Sequence, residues 1–148
     1  MITLTRAIII ACEAHDGQKD KGGWSYIHHP LHVMMRNKDS GGTEDEMIVA
    51  VLHDVIEDSY WTLANLRSEG LTEFQLQAID ALTKRSGEDY EDYVGRIMNS
   101  PLAKKVKIKD IEHNMDIKRL KGGSKMVQKD FDRIAKYKRV YDRLTGTY

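Results

Sequence analysis

Apolar residues recur three and four positions apart along most of the chain, and no stretch shows the convincing apolar–polar alternation of a half-buried strand. That periodicity restricts the chain to an all-α fold. The only two prolines, Pro30 and Pro101, stand where helices begin, and there a missing N–H costs nothing. The spacing predicts helices over about 3–16, 30–38, 43–57, 62–69, 72–85, 89–99, 101–116 and 124–145. Thr43 with Glu46, and Ser86 with Asp89, have the spacing of capping boxes. Glycines at 22–23, 41–42, 70, 87 and 122–123 punctuate the gaps. A length of 148 residues without repeat, linker or low-complexity tract suits one compact helical bundle spanning 1–148.

Lysine and arginine number 23, as do aspartate and glutamate, so the chain has no net charge to draw it to nucleic acid or an anionic membrane. No apolar run approaches the roughly 20 residues that span a bilayer. The patch from Ala7 to Cys12 is broken by Glu13 and reads as a helix face, not a signal peptide. A lone cysteine, Cys12, forms no internal disulfide and suits the cytoplasm. The last predicted helix carries Phe131, Ile134, Tyr137, Val140, Tyr141 and Leu144 at helical spacing, a stripe for core packing or a partner surface. Its basic residues are interleaved with acidic ones, which does not favour nucleic-acid binding.

The segment VLHDVIEDS, from Val51 to Ser59, departs from ordinary helix economy. Ile48, Val51, Leu52, Val55 and Ile56 form an apolar stripe, yet His53, Asp54, Glu57 and Asp58 crowd beside it. On a continuous helix His53 and Glu57 stack one turn apart, and so do Asp54 and Asp58. Carboxylates near a helix C-terminus oppose the macrodipole, so the cluster is better explained by a site than by stability. A histidine nitrogen beside a carboxylate oxygen suits a first-row divalent cation. Two adjacent ligands do not close such a site. YIHHPLHV offers His28, His29 and His32, and VKIKDIEHNMD offers Asp110, Glu112, His113, Asn114 and Asp116.

The ordered pieces AHDGQKDKGGWSYIHHP, LHDVIEDS, ALTKRSGEDYEDYVGRI and AKKVKIKDIEHNMD resemble the HD metal-dependent phosphohydrolase superfamily. Within it they resemble the hydrolase domain of RelA/SpoT proteins and the small stand-alone SpoT-like hydrolases. The resemblance implies metal ligation by His29, His53, Asp54 and Asp110, with manganese as the usual ion and another divalent metal as the alternative. It implies that Glu57 and Asp58 activate or orient the attacking water. Lys21 would lie near the substrate phosphates and Asn114 in the nucleotide pocket. The implied reaction removes the 3′-diphosphate of (p)ppGpp, giving pyrophosphate and GDP or GTP. The implied partner is a small-molecule nucleotide; oligomeric state is left open.

Several positions depart from the pattern. Asp20 stands where relatives commonly have an arginine, Ser25 where they have a proline, and Lys109, Ile111 and Glu112 alter the segment around Asp110. These keep two alternatives open: an HD phosphohydrolase for another nucleotide, and a non-catalytic nucleotide-binding module. An acidic side chain repels phosphates, so Asp20→Arg is expected to improve binding of a guanine nucleotide. Lys19, Lys84, Arg85, Lys107 and Lys109 are further basic candidates, with Lys19 and Lys107 read as solvated surface charges. No synthetase or regulatory segment is recognised in the sequence, which implies a stand-alone hydrolase domain.

Overall fold

The computed structural model describes residues 1–116 and 126–146. Their regular structure is helical, with one isolated antiparallel bridge between Lys19 and Ser25. The helices are α1 (Leu4–Ala14), α2 (His28–Asp39), α3 (Glu44–Leu52), α4 (Val55–Asp58), α5 (Leu63–Ser68), α6 (Glu73–Leu82), α7 (Tyr90–Met98), α8 (Pro101–Asn114) and α9 (Gln128–Thr145). The all-α expectation holds. Residues 124 and 125 of the last predicted helix, and Gly122 and Gly123, lie outside the described residues.

Central helix α3 packs against α1, α2, α6 and α8. Its five consecutive residues Ile48 to Leu52 are all buried, so the stripe expected on one face becomes an apolar surface on every side. Buried apolar residues from all nine helices join one cluster, down to Val140 and Leu144 of α9. Side-chain caps fix many of the starts. Thr43 accepts from the Glu46 amide at 3.2 Å, and Ser100 from the Ala103 amide at 3.2 Å, with Pro101 opening α8. Glu46 does not return the bond of a capping box; its carboxylate pairs with Lys105 of α8 instead. Asp89, not Ser86, caps α7. Complete boxes occur at Thr62–Asn65 and Thr72–Gln75.

One departure governs the site. The helix expected over 43–57 stops at Leu52, turns at His53 and Asp54, and restarts as the single turn α4. Asp54 sits at φ −105° and ψ −1°, at the edge of the right-handed helical region. No glycine or proline marks this break.

Candidate functional site

Three elements bring the sequence-predicted ligands together. His29 enters from the first turn of α2, His53 and Asp54 from the α3–α4 break, and Asp110 from α8. His29 and His53 are each 2% exposed, and Asp110 4%. Placing an aspartate and two histidines in a hydrophobic interior is costly unless they are paired. One donor atom each from His29, His53 and Asp54 lie within 4.8 Å of one another. The separation is 3.1 Å from His53 Nε2 to Asp54 Oδ2 and 3.7 Å from His29 Nε2 to the same oxygen. Asp110 Oδ1 joins them at 2.7 Å from His29 Nε2 and 3.4 Å from His53 Nε2.

The donor set fits a divalent cation. Two donors about 2.1 Å from one ion stand roughly 3 to 4 Å apart, depending on the angle between them. Three of the four separations fall there; the His29–Asp110 hydrogen bond is the one that must lengthen. His53 Nδ1 faces the Ala50 carbonyl, which takes the ring proton there and turns Nε2 inward as the donor atom. Among the described residues, that buried Nε2 makes no hydrogen bond. His29 is backed through Nδ1 by Nδ1 of His113 at 2.8 Å, and His113 stacks on His32 with ring centroids 3.8 Å apart. His28, also a candidate, is exposed and meets the edge of Trp24.

The electrostatics agree with this grouping. Burial opposes charge on His53, but Asp54 and Asp110 outweigh it and hold its pKa well above the usual imidazole value. Burial would raise the carboxyls of Asp54 and Asp110. His53 overrides it at Asp54 and Lys107 overrides it at Asp110, so both are held low. The Tyr26 hydroxyl donates to Asp54 Oδ2, and burial beside that carboxylate pushes the phenol up.

Glu57 and Asp58 occupy the turn of α4 just beyond the nest. Glu57 Oε1 accepts from the Lys84 amide in the loop after α6, so this glutamate is anchored from outside. Partial burial raises its pKa. Asp58 is pushed up to about 6, by burial first and then by the charges of Asp54 and Glu57. The helix break means that the expected stacking of His53 over Glu57 and Asp54 over Asp58 is replaced by an offset: ligands at the turn, carboxyls one short helix further.

A cleft of about 310 Å³ opens alongside, lined by Lys19, Asp20, Lys21, Tyr26, Asn114 and, from α9, Arg133 and Tyr137 among others. Lys21 and Asn114, expected near a substrate, both line this cleft. Asn114 also donates to Asp110 Oδ1 at 3.0 Å, which links cleft and nest. Arg133 and Tyr137 were not singled out for the cleft, because the apolar stripe of α9 gives the same pattern for a core-facing and a cleft-facing residue. Nor were His15 and Gln18. His15 is buried, its Nδ1 bonds Gln18 Oε1 at 2.8 Å, and the Gln18 amide reaches the Asp58 carbonyl at 2.7 Å. The segment AHDGQ carries no periodicity that would reveal them.

Two expectations about charged residues change. Lys107 is 9% exposed and bonded to Asp110 Oδ2 at 2.9 Å, so it is no surface charge. Its spacing of one helical turn before Asp110 was the available clue. Asp20 builds its loop: Oδ1 accepts from the Gly22 amide at 2.9 Å and the Trp24 amide at 3.0 Å, while its own amide donates to the Trp24 carbonyl. The substituted positions around Asp110 also find structural work. Ile111 is buried in the core, and Glu112 pairs with Arg36 of α2 and with Lys109.

Two histidines and two aspartates meeting in an all-α bundle, beside a cleft that carries Lys19, Lys21 and Arg133 as well as Asp20 and Asp116, form an arrangement that resembles a metal-dependent phosphohydrolase domain. In particular, the chain resembles the hydrolase domain of RelA/SpoT proteins. It is 35% identical over 81 residues to a guanosine-3′,5′-bis(diphosphate) 3′-pyrophosphohydrolase of Aquifex aeolicus, a match covering 55% of this chain and 12% of that one. It is 31% identical over 121 residues to a GTP pyrophosphokinase of Streptomyces coelicolor, covering 76% of this chain and 14% of the relative. The chain therefore spans only a small part of the length of these relatives. No family model matches it. Its fold matches a metazoan SpoT ortholog described as hydrolysing ppGpp, with a TM-score of 0.81 and 18% identity over 97% of this chain and 86% of that chain. No helix among the described residues is long and apolar enough to cross a membrane.

Proposed function

We propose that residues 1–148 form one hydrolase domain that removes the 3′-diphosphate of (p)ppGpp as pyrophosphate, using a divalent cation, with manganese preferred. The observation that carries this reading is the convergence of His29, His53, Asp54 and Asp110 from separate elements onto donor separations suited to one ion, next to a cleft that holds Lys19, Lys21 and Arg133. A cation held there would supply electrostatic stabilisation of phosphoryl oxygens and acidify a bound water. The protein's own residues do the rest. Lys21 and Arg133 offer positive charge for an anionic substrate, and Tyr137 offers an aromatic face at the same cleft. Asp58, with its carboxyl near 6, accepts or returns a proton at neutral pH, and Glu57 beside it is oriented by the Lys84 amide. Tyr26 fixes Asp54 and, with Lys19, lines both the cleft and a neighbouring hollow that Asp58 borders.

A second reading, a phosphohydrolase for a different nucleotide, is favoured by Asp20 on the cleft wall, where the resemblance leads one to expect an arginine. Manganese-loaded protein incubated with ppGpp, pppGpp and a panel of nucleoside mono-, di- and triphosphates separates the two. Pyrophosphate release from ppGpp is expected. Orthophosphate from monophosphates, with no pyrophosphate from ppGpp, would replace the first reading by the second.

A further inference from the structure

Asp110 is bonded at both carboxylate oxygens. Oδ1 faces the nest, close to His29 and His53, and accepts from Asn114. Oδ2 faces the other way and is taken by the Lys107 ammonium at 2.9 Å. That lysine is buried, and its Nζ lies 5.3 Å from the centre of the Tyr93 ring, whose hydroxyl is fixed on the Leu82 carbonyl at 2.8 Å. Lys107, Asp110 and Asn114 follow each other at i, i+3 and i+7 on α8, so one helical face carries the carboxylate and the groups that grip it. Asp54 is held differently, by the neutral hydroxyl of Tyr26.

We propose that Lys107 is a positioning residue for the cation site: its ammonium holds Asp110 so that the carboxylate presents one oxygen, Oδ1, to the ion. A carboxylate free to rotate can bind a cation through both oxygens or turn away. With Oδ2 occupied by a buried ammonium, neither arrangement is open. The lysine also offsets one negative charge in a cluster that holds Asp54, Glu57, Asp58 and Asp110 together. Losing an outer partner of a metal ligand typically costs about 10- to 100-fold in affinity. The inference rests on the reading that the nest holds a divalent cation.

Manganese binding to the full chain, measured by equilibrium dialysis with metal analysis, tests both levels separately. Wild-type protein that takes up no stoichiometric manganese would overturn the site itself. If it does bind, Lys107→Met, which keeps the aliphatic length and removes the charge, is expected to bind about 10- to 100-fold more weakly with unchanged helical circular dichroism. In an Asp110→Asn background, where Lys107 has lost its carboxylate, adding Lys107→Met is expected to change affinity by less than about threefold. A purely structural lysine would lower the melting temperature and leave manganese affinity within about threefold of wild type, and that result overturns the inference. Equal losses in both backgrounds would overturn it too. Should Lys107→Met fail to fold, Lys107→Gln carries the same comparison, with an expected loss of about tenfold.

Discussion

The nest and the cleft touch at Tyr26 and Asn114 but are built in opposite ways. Every nest residue comes from an element in contact with the core: α2, the end of α3, and α8. Each of its polar groups is bound on its outer side, His53 by Ala50, His29 by His113, Asp54 by Tyr26 and Asp110 by Lys107. The cleft is walled by the loop from Lys19 to Gly22 and by one face of α9, and Lys21 is exposed. A reacting centre needs groups held to a fraction of an ångström, and close packing supplies that. Recognition of a substrate tolerates surface loops that vary without disturbing a core. The position departing from the resembled pattern that reaches the cleft wall, Asp20, is accordingly a loop residue, while Ile111 and Glu112 are absorbed into helix packing.

The sharpest break of this comparison is to remove a nest ligand. Asp54→Ala is expected to abolish stoichiometric manganese binding, with affinity down by more than about 100-fold, beyond the usual loss from an outer partner. Metal analysis of dialysed protein checks it; equal metal content in mutant and wild type would remove Asp54 from the site. Glu57→Gln probes the boundary between the two regions. Its shape and its bond from the Lys84 amide persist, but the charge does not. Turnover of ppGpp should fall about 100-fold while manganese affinity stays near wild type, because general acid–base groups contribute on that scale. A near-normal kcat would leave proton handling to Asp58 alone.

How legible each region was in the sequence follows from the same contrast. Metal chemistry demands particular residue types, so His53 and Asp54 stood out; the family resemblance then selected His29 and Asp110 from several candidates, and the structure brings all four together. The break at His53 was not legible, since the apolar stripe from Ile48 to Ile56 runs through it without glycine or proline. What ends α3 is tertiary: the turn lets His53 and Asp54 point into one nest, a demand that no local propensity records. The α9 wall of the cleft, Arg133 and Tyr137, was missed because an arginine and a tyrosine on an amphipathic helix look alike whether they face a cavity or solvent. Asp20 was read by charge alone, although Asp followed by Gly-Gly is also a loop signal.

A smaller effect should appear in stability. The carboxyl of Asp58 titrates near 6 in the fold and near 3.9 when unfolded. The folded state thus holds this proton more tightly, and ionisation of Asp58 opposes folding. The penalty is absent below pH about 4, grows between 4 and 6, and is complete above 6. In metal-free protein Asp58→Asn should therefore be more stable than wild type above pH 6, by about 1 kcal/mol once solvent screening of this exposed residue is allowed for, and no more stable at pH 4. Thermal melts at the two pH values decide; a gain that is equal at both would mean the benefit comes from something other than charge.

The mildest test, and the one that separates cleft from nest most cleanly, is Asp20→Arg. Charge alone predicts that an arginine beside Lys21 draws a multiply phosphorylated nucleotide more tightly. The structure reverses the sign. Asp20 Oδ1 holds the amides of both Gly22 and Trp24, and those bonds give the loop its shape where Lys19 and Lys21 line the cleft. Arginine has no acceptor to replace them, so two amides must find water and the loop loosens. The added charge is exposed and screened, and is worth no more than about 1 kcal/mol. The loss of two hydrogen bonds is of equal or larger size, about 1 kcal/mol for each. KM for ppGpp should therefore rise by about threefold, with kcat and manganese affinity unchanged because the nest does not depend on this loop. Asp20→Asn keeps an acceptor oxygen for the same amides, and is expected to retain wild-type KM. A KM that falls in Asp20→Arg would show that the loop keeps its shape without the aspartate, and that charge, not backbone geometry, sets binding at this wall.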